Sequence, residues 1–214
     1  MKDHTIAAAI GSYDVSIFKS WLEHTENPDI VLISAEGYQG ANALQHVVMS
    51  IDRPENDAAL IEMIRLLIEK GADVNAVGVA GDYPALYWAV TENRTAIAKL
   101  LLEAGAVVDY RTDTGDTYLV IAMENESDEM VELLVRYCDA HTLNKWGGVW
   151  CNTPLGMAFR KVNLPMIELL LKNGADPYAY DPDMGSTIHN IPPELEESTS
   201  EKIFSLIEKY KKDV

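Results

Sequence analysis

Asp109, Asp113 and Asp116 fall within eight residues in the stretch DYRTDTGDT, a run of hard oxygen donors of the kind calcium takes. Their spacing is not that of an EF-hand loop, and a hairpin turn built on Thr-Gly-Asp accounts for the same residues with fewer assumptions. The five histidines, His4, His24, His46, His141 and His189, are scattered, none with a partner at metal-ligand spacing. The chain has no GxSxG elbow, no phosphate-cradling glycine loop, no HExxH and no GxGxxG. Catalytic residues, cofactor-binding residues and metal ligands are therefore all expected to be none. Cys138 and Cys151 form neither a CxxC pair nor a disulfide framework and read as free thiols.

Charge narrows the partners. Seventeen Lys and Arg against 34 Asp and Glu give a formal net charge of −17, which repels nucleic-acid phosphates and anionic membranes and attracts basic proteins. The opening MKDHTIAAAIG lacks the pattern of a signal peptide, and no apolar run approaches membrane-spanning length, so the expectation is a cytoplasmic protein.

What positions these residues is a repeat. LLIEKGADVN, LLLEAGAVVD and LLLKNGADPY place Gly71, Gly105 and Gly174 after leucine-rich runs, and Cys138 stands at the same place after ELLVRY, giving steps of 34, 33 and 36. A second series, Val47, Ala89, Ala122, Ala158 and Ile191, ends the inner segments, and three of its members lie 16 residues before the next mark of the first series. Two series in one phase at a period near 33 define a solenoid of stacked units, each covering the apolar face of its neighbour. The glycines suit the left-handed residue that ends a helix, and Thr153-Pro154 suits a capped first turn.

The stretch Asn152-Thr153-Pro154-Leu155-Gly156-Met157-Ala158, followed by Ile167-Glu168-Leu169-Leu170-Leu171-Lys172-Asn173-Gly174-Ala175-Asp176, resembles the ankyrin repeat family. The resemblance implies an all-α ankyrin-repeat solenoid of helix-loop-helix units joined by short β-hairpin-like loops. Extended over residues 1–214 as a single domain, it divides the chain into an N-terminal cap at 1–32, units at 33–75, 76–108, 109–142 and 143–177, and a C-terminal cap at 178–214. In that cap Ile203, Phe204, Leu206 and Ile207 are expected to face inward. His189 falls on the structural histidine of the TPLH-like STIH.

Breaks in the phase mark insertions. Val47 to Gly71 is 24 residues against 16, so about eight extra residues belong near SIDRPENDAA, around Arg53 and Asp57. Cys138 to Ala158 carries three more residues than Gly105 to Ala122, expected in the hairpin LNKWGGVWCN.

Arrays of this kind, as the resemblance implies, bind proteins through hairpin tips and inner helices that form a concave face. Those positions here are Asp82, Arg111, Asp113, Asp116, Glu124, Trp146, Trp150, Asn152, Arg160, Tyr180 and Asp183. The expected function is a non-catalytic interaction scaffold for a basic or mixed-charge protein, with no nucleic-acid or membrane partner and a monomer on its own. The alternative is an immunity protein neutralising a cognate toxin, such as a nuclease. Trp146 and Trp150 read equally well as partner anchors or as packing between hairpins.

Overall fold

A computed structural model describes residues 4–29, 31–33, 39–50, 57–77, 83–147, 152–181 and 185–211. The chain forms two compact units, Met1–Val107 and Val108–Val214.

The first unit contains α1 (His4–Gly11), α2 (Val15–Glu23), β1 (Val31–Ile33), β2 (Gln39–Asn42), α3 (Ala43–Met49), α4 (Asp57–Glu69), α5 (Ala85–Thr91) and α6 (Thr95–Glu103). The short helices α1, α3 and α5 alternate with α2, α4 and α6, and each helix packs on its own partner and on its counterpart in the next pair. The core between them is aliphatic: Leu60, Met63, Ile64 and Leu67 of α4 lie on one stripe, and Ile97, Ala98 and Leu101 of α6 on another, all fully buried. β1 and β2 pair antiparallel with an irregular register, Val31 opposite Asn42 and Ile33 opposite Gln39.

The second unit repeats the scheme with α7 (Tyr118–Glu124), α8 (Asp128–Val135), α9 (Ala140–Leu143), α10 (Pro154–Arg160), α11 (Leu164–Lys172), β3 (Tyr180–Asp181), β4 (Gly185–Ser186), a 3-10 turn at Thr187–Asn190 and α12 (Glu197–Tyr210). Strand content is limited to these two-stranded hairpins and two isolated bridges among the described residues.

Local chemistry sets the helix ends. Asn42 and Gln45 form a reciprocal capping box on α3, and the hydroxyls of Thr117 and Thr153 accept the N3 amides of α7 and α10. Gly71, Gly105 and Gly174 take φ of +94°, +94° and +101°, closing α4, α6 and α11 in a conformation where a β-carbon is strained. The turns between paired helices use the left-handed region too, with side-chain-bearing residues: Tyr13, Asn93, Glu126 and Val162, φ 55–56°.

Three expectations need correction. Of the excess before Gly71, residues 51–56 lie outside the described residues and four residues belong to helix: α4 starts four residues further from its terminal glycine than α6 does, and runs to 13 residues against 9. The extension is tied down by an ion pair from Asp57, its first residue, to Arg94 at the head of α6. After Cys138 the structure has a further short helix ahead of the hairpin, while residues 148–151 of LNKWGGVWCN lie outside the described residues. This is α9, capped by Asp139, whose carboxylate accepts Thr142 N–H at 2.7 Å. Cys138 accordingly keeps a negative φ and is no stand-in for a left-handed glycine. In α12 only Ile203 and Ile207 are buried; Phe204, rotated about 100° from Ile203, is 47% exposed, and Leu206 is half-buried.

Candidate protein-binding surface

The hairpin side of the second unit is built from the segments that precede α7, α10 and the 3-10 turn. Arg111 bridges Thr117, Gly147 bridges Asn152, and Tyr180 pairs with Ser186. The first hairpin is held by its own polar residues. Thr112 Oγ1 accepts the Asp116 amide at 2.9 Å and lies 2.8 Å from Thr114 Oγ1, which donates to the Asp116 carboxylate at 2.6 Å. The three aspartates do not converge on one point as ligands: Asp109 pairs with Lys145, while Asp116 serves the turn. Among the described residues no group of three His, Cys, Asp or Glu side chains could hold a metal ion.

Neighbouring hairpins touch backbone to backbone. A β-carbon on Gly147 would lie 3.1 Å from the Gly115 carbonyl oxygen and 3.2 Å from the Thr117 nitrogen, so the glycine sets the spacing between hairpins. Arg111 stitches the same junction: its Nε donates to the Gly115 carbonyl at 2.9 Å, and its terminal amine to the Trp146 carbonyl. Trp146 is half-buried. Trp150, Asp82 and Asp183 lie outside the described residues, as does Cys151. Asn152 is only 4% exposed and its backbone pairs with Gly147, so its side chain is not available as a contact for a partner.

The residues that do reach the surface are Arg111, Asp113, Glu124, Arg160 and Tyr180, the last 69% exposed, with Asp116 half-buried. Partial desolvation, then the neighbouring Asp116 carboxylate, push the Glu124 carboxyl up, and Lys161 pulls it back. Lys161 itself is directed to Glu126 at 2.9 Å. Burial pushes the Cys138 thiol up to about 12, with Asp139 and Asp109 adding to it, so this cysteine is not nucleophilic.

One recurring device was not anticipated from the sequence. Asp29, Asn75 and Asn144 each accept, through a side-chain oxygen, the backbone N–H of the second residue past the next repeat's helix-ending glycine: Asp73 at 2.9 Å, Val107 at 2.8 Å and Asp176 at 2.7 Å. Asn75 also donates to the Gly105 carbonyl at 3.1 Å. The signal was present in the asparagine that ends GADVN; at Asn144 it is displaced by α9.

Paired short helices in phase, glycine-closed and hairpin-linked, define a helical repeat protein whose surface chemistry lies on its loops and inner helices. The chain belongs to the ankyrin repeat family: the family model, ankyrin repeats in three copies, matches residues 5–112. The palmitoyltransferase ZDHHC13 of Homo sapiens is 29% identical over 130 residues, 61% of this chain and 15% of that protein. An ankyrin repeat protein of Rickettsia felis is 40% identical over 97 residues, covering 40% of this chain and 42% of its own. The chain thus matches less than half the length of each of these two. Among solved structures, an ankyrin repeat domain from Acinetobacter baumannii AYE superposes with a TM-score of 0.70 at 24% identity, covering 98% of both chains. A chain from the complex of a predatory endopeptidase of Bdellovibrio bacteriovorus with an immunity protein gives 0.65 at 20% identity, covering 97% of this chain and 98% of that one. The fold is therefore the all-α ankyrin type. Ankyrin repeats are protein-interaction scaffolds and in general non-catalytic. No helix among the described residues is long and apolar enough to cross a membrane.

Proposed function

We propose that this protein is a non-catalytic scaffold that binds a basic or mixed-charge protein through its hairpin and inner-helix side. In the second unit the contacts are Arg111, Asp113, Asp116, Glu124, Trp146, Arg160 and Tyr180. The observation that carries the reading is Tyr180, a tyrosine 69% exposed on a hairpin in a chain of net charge −17. An amphipathic aromatic left in water on an acidic chain is what a binding surface supplies as anchor and selectivity. The protein acts in the cytoplasm as a monomer, and nucleic acids and anionic membranes are excluded as partners by charge.

The test is affinity capture from the native cell's lysate at low and high salt, with wild type beside a Asp113→Lys/Asp116→Lys/Tyr180→Ala variant. A protein held by wild type, released by salt and lost from the variant supports the reading. Equal retention by both sinks it. A second reading, an immunity protein that neutralises a toxin, is favoured by the likeness to a chain of the endopeptidase–immunity protein complex. It requires that expression protect cells from one cognate toxin, with affinity falling as salt rises.

A further inference from the structure

Helix α12 lies against α11 and buries Ile203 and Ile207. On its outer side Glu197, Glu201, Phe204 and Glu208 follow the 4-3-4 spacing that lines residues up along a helix, and all four are exposed. Beside this line the seam between α11 and α12 opens into a groove of about 690 Å³. Leu164 and Pro165 from α11 and Leu206 from α12 give it apolar walls, and Glu168, Glu201 and Lys202 stand among its polar lining. Glu168 is already engaged by Lys209 and Tyr210, at 2.7 and 2.8 Å. Lys202 is the one cation in the lining, against the carboxylates of Glu197 and Glu201 along the ridge, while Glu208 is paired with Lys211 at 3.5 Å.

We propose that this seam is a second docking surface, separate from the hairpin side, and that it takes a basic amphipathic segment of a protein partner. The choice of occupant follows from charge complementarity. An apolar side chain of the segment enters the groove against Leu164, Pro165 and Leu206, and its Lys or Arg residues lie along Glu197 and Glu201 beside Phe204. An acidic segment would meet the like charges of Glu197 and Glu201; a purely apolar one would leave those two carboxylates desolvated without a counter-charge. Because the surface lies on α11 and α12, it stands or falls independently of the hairpin reading.

The experiment uses the full chain, nitrogen-15 labelled, titrated with a synthetic amphipathic peptide of leucine and lysine and, as control, its leucine and glutamate counterpart. Three variants accompany wild type: Glu197→Lys/Glu201→Lys, Phe204→Ser, and Asp113→Lys/Asp116→Lys. Glu197, Glu201, Phe204 and Asp113 are exposed and Asp116 is half-buried, and far-UV circular dichroism checks that each variant keeps its helices. The expected result is amide shifts clustered on α11 and α12, with affinity lowered at least about tenfold in the double glutamate variant, lowered in Phe204→Ser, and unchanged in the aspartate variant. Shifts confined to the hairpins, equal loss in all variants, or equal binding of the acidic peptide each overturn the proposal. So does sedimentation showing that wild type self-associates and Phe204→Ser does not, since the occupant is then a second copy of this chain.

Discussion

Thr153 sits at a junction where a helix cap and a link between repeats share one oxygen. It is 1% exposed; its Oγ1 accepts the Gly156 amide at 3.0 Å and lies 3.1 Å from Thr187 Oγ1. Thr187 is fully buried and its hydroxyl donates to the Ala179 carbonyl at 3.3 Å, so the Thr153 hydroxyl is the donor between the two threonines. Thr153→Val keeps the shape and removes both bonds. Loss of the cap costs about 1 kcal/mol, and loss of the buried hydrogen bond about another 1 kcal/mol. Leaving the Gly156 amide buried without an acceptor brings the total to about 2–3 kcal/mol. Thr187→Val should cost about 1–2 kcal/mol for its own two contacts. Since one bond is common to both, the double variant should fall short of the sum by about 1 kcal/mol. Thr153→Ser keeps the oxygen and should lose only about 0.8 kcal/mol for the methyl group. Urea unfolding followed by far-UV circular dichroism measures all four, with an unchanged m-value as the check on comparability. A Thr153→Val within about 0.5 kcal/mol of wild type, or strict additivity in the cycle, refutes the linked network.

Gly147→Ala should destabilise by about 1–3 kcal/mol, since the new methyl meets backbone atoms of the preceding hairpin, whereas Gly105→Ala, with open space but φ of +94°, should lose about 1 kcal/mol to strain alone; thermal melts rank them. Cys138 should resist iodoacetamide in the folded protein at pH 8 and label readily in urea, as peptide mass mapping will show; fast labelling when folded contradicts its burial. Hydrogen bonds from Lys209 and Tyr210 hold the Glu168 carboxyl below its usual range. A carboxyl depressed in this way stabilises the fold above its unfolded value and stops doing so as pH falls through the folded one. Glu168→Gln should therefore be less stable than wild type at neutral pH and indistinguishable from it in acid; a gap that persists in acid points to lost packing instead.

The repeat was legible because its marks are one-residue requirements: Gly71, Gly105 and Gly174 answer a left-handed backbone, and Thr153 answers an open amide. The insertions were legible in length, and the helices near them were not. Spacing counts residues, and it does not say that Asp139 will cap a new short helix at α9 or that α4 will absorb part of its excess as an extra turn. Phe204 was misassigned because four apolar residues in α12 share barely two buried positions, Ile203 and Ile207, and hydrophobicity alone does not choose among them. The binding surface was the least legible part. Asn152 looked like a polar loop residue and is 4% exposed, which no single residue type announces.

The side-chain to backbone bonds made by Asp29, Asn75 and Asn144 join residues 44, 32 and 32 positions apart. Each therefore closes a loop of about one repeat. Loop-closure entropy grows only with the logarithm of length, and at these three junctions it is met in small instalments. A chain wired in this way has several equivalent places to begin folding and none on which all the others must wait. Any two adjacent repeats that find each other present the next with a finished edge, so ordering propagates by growth from whichever pair forms first.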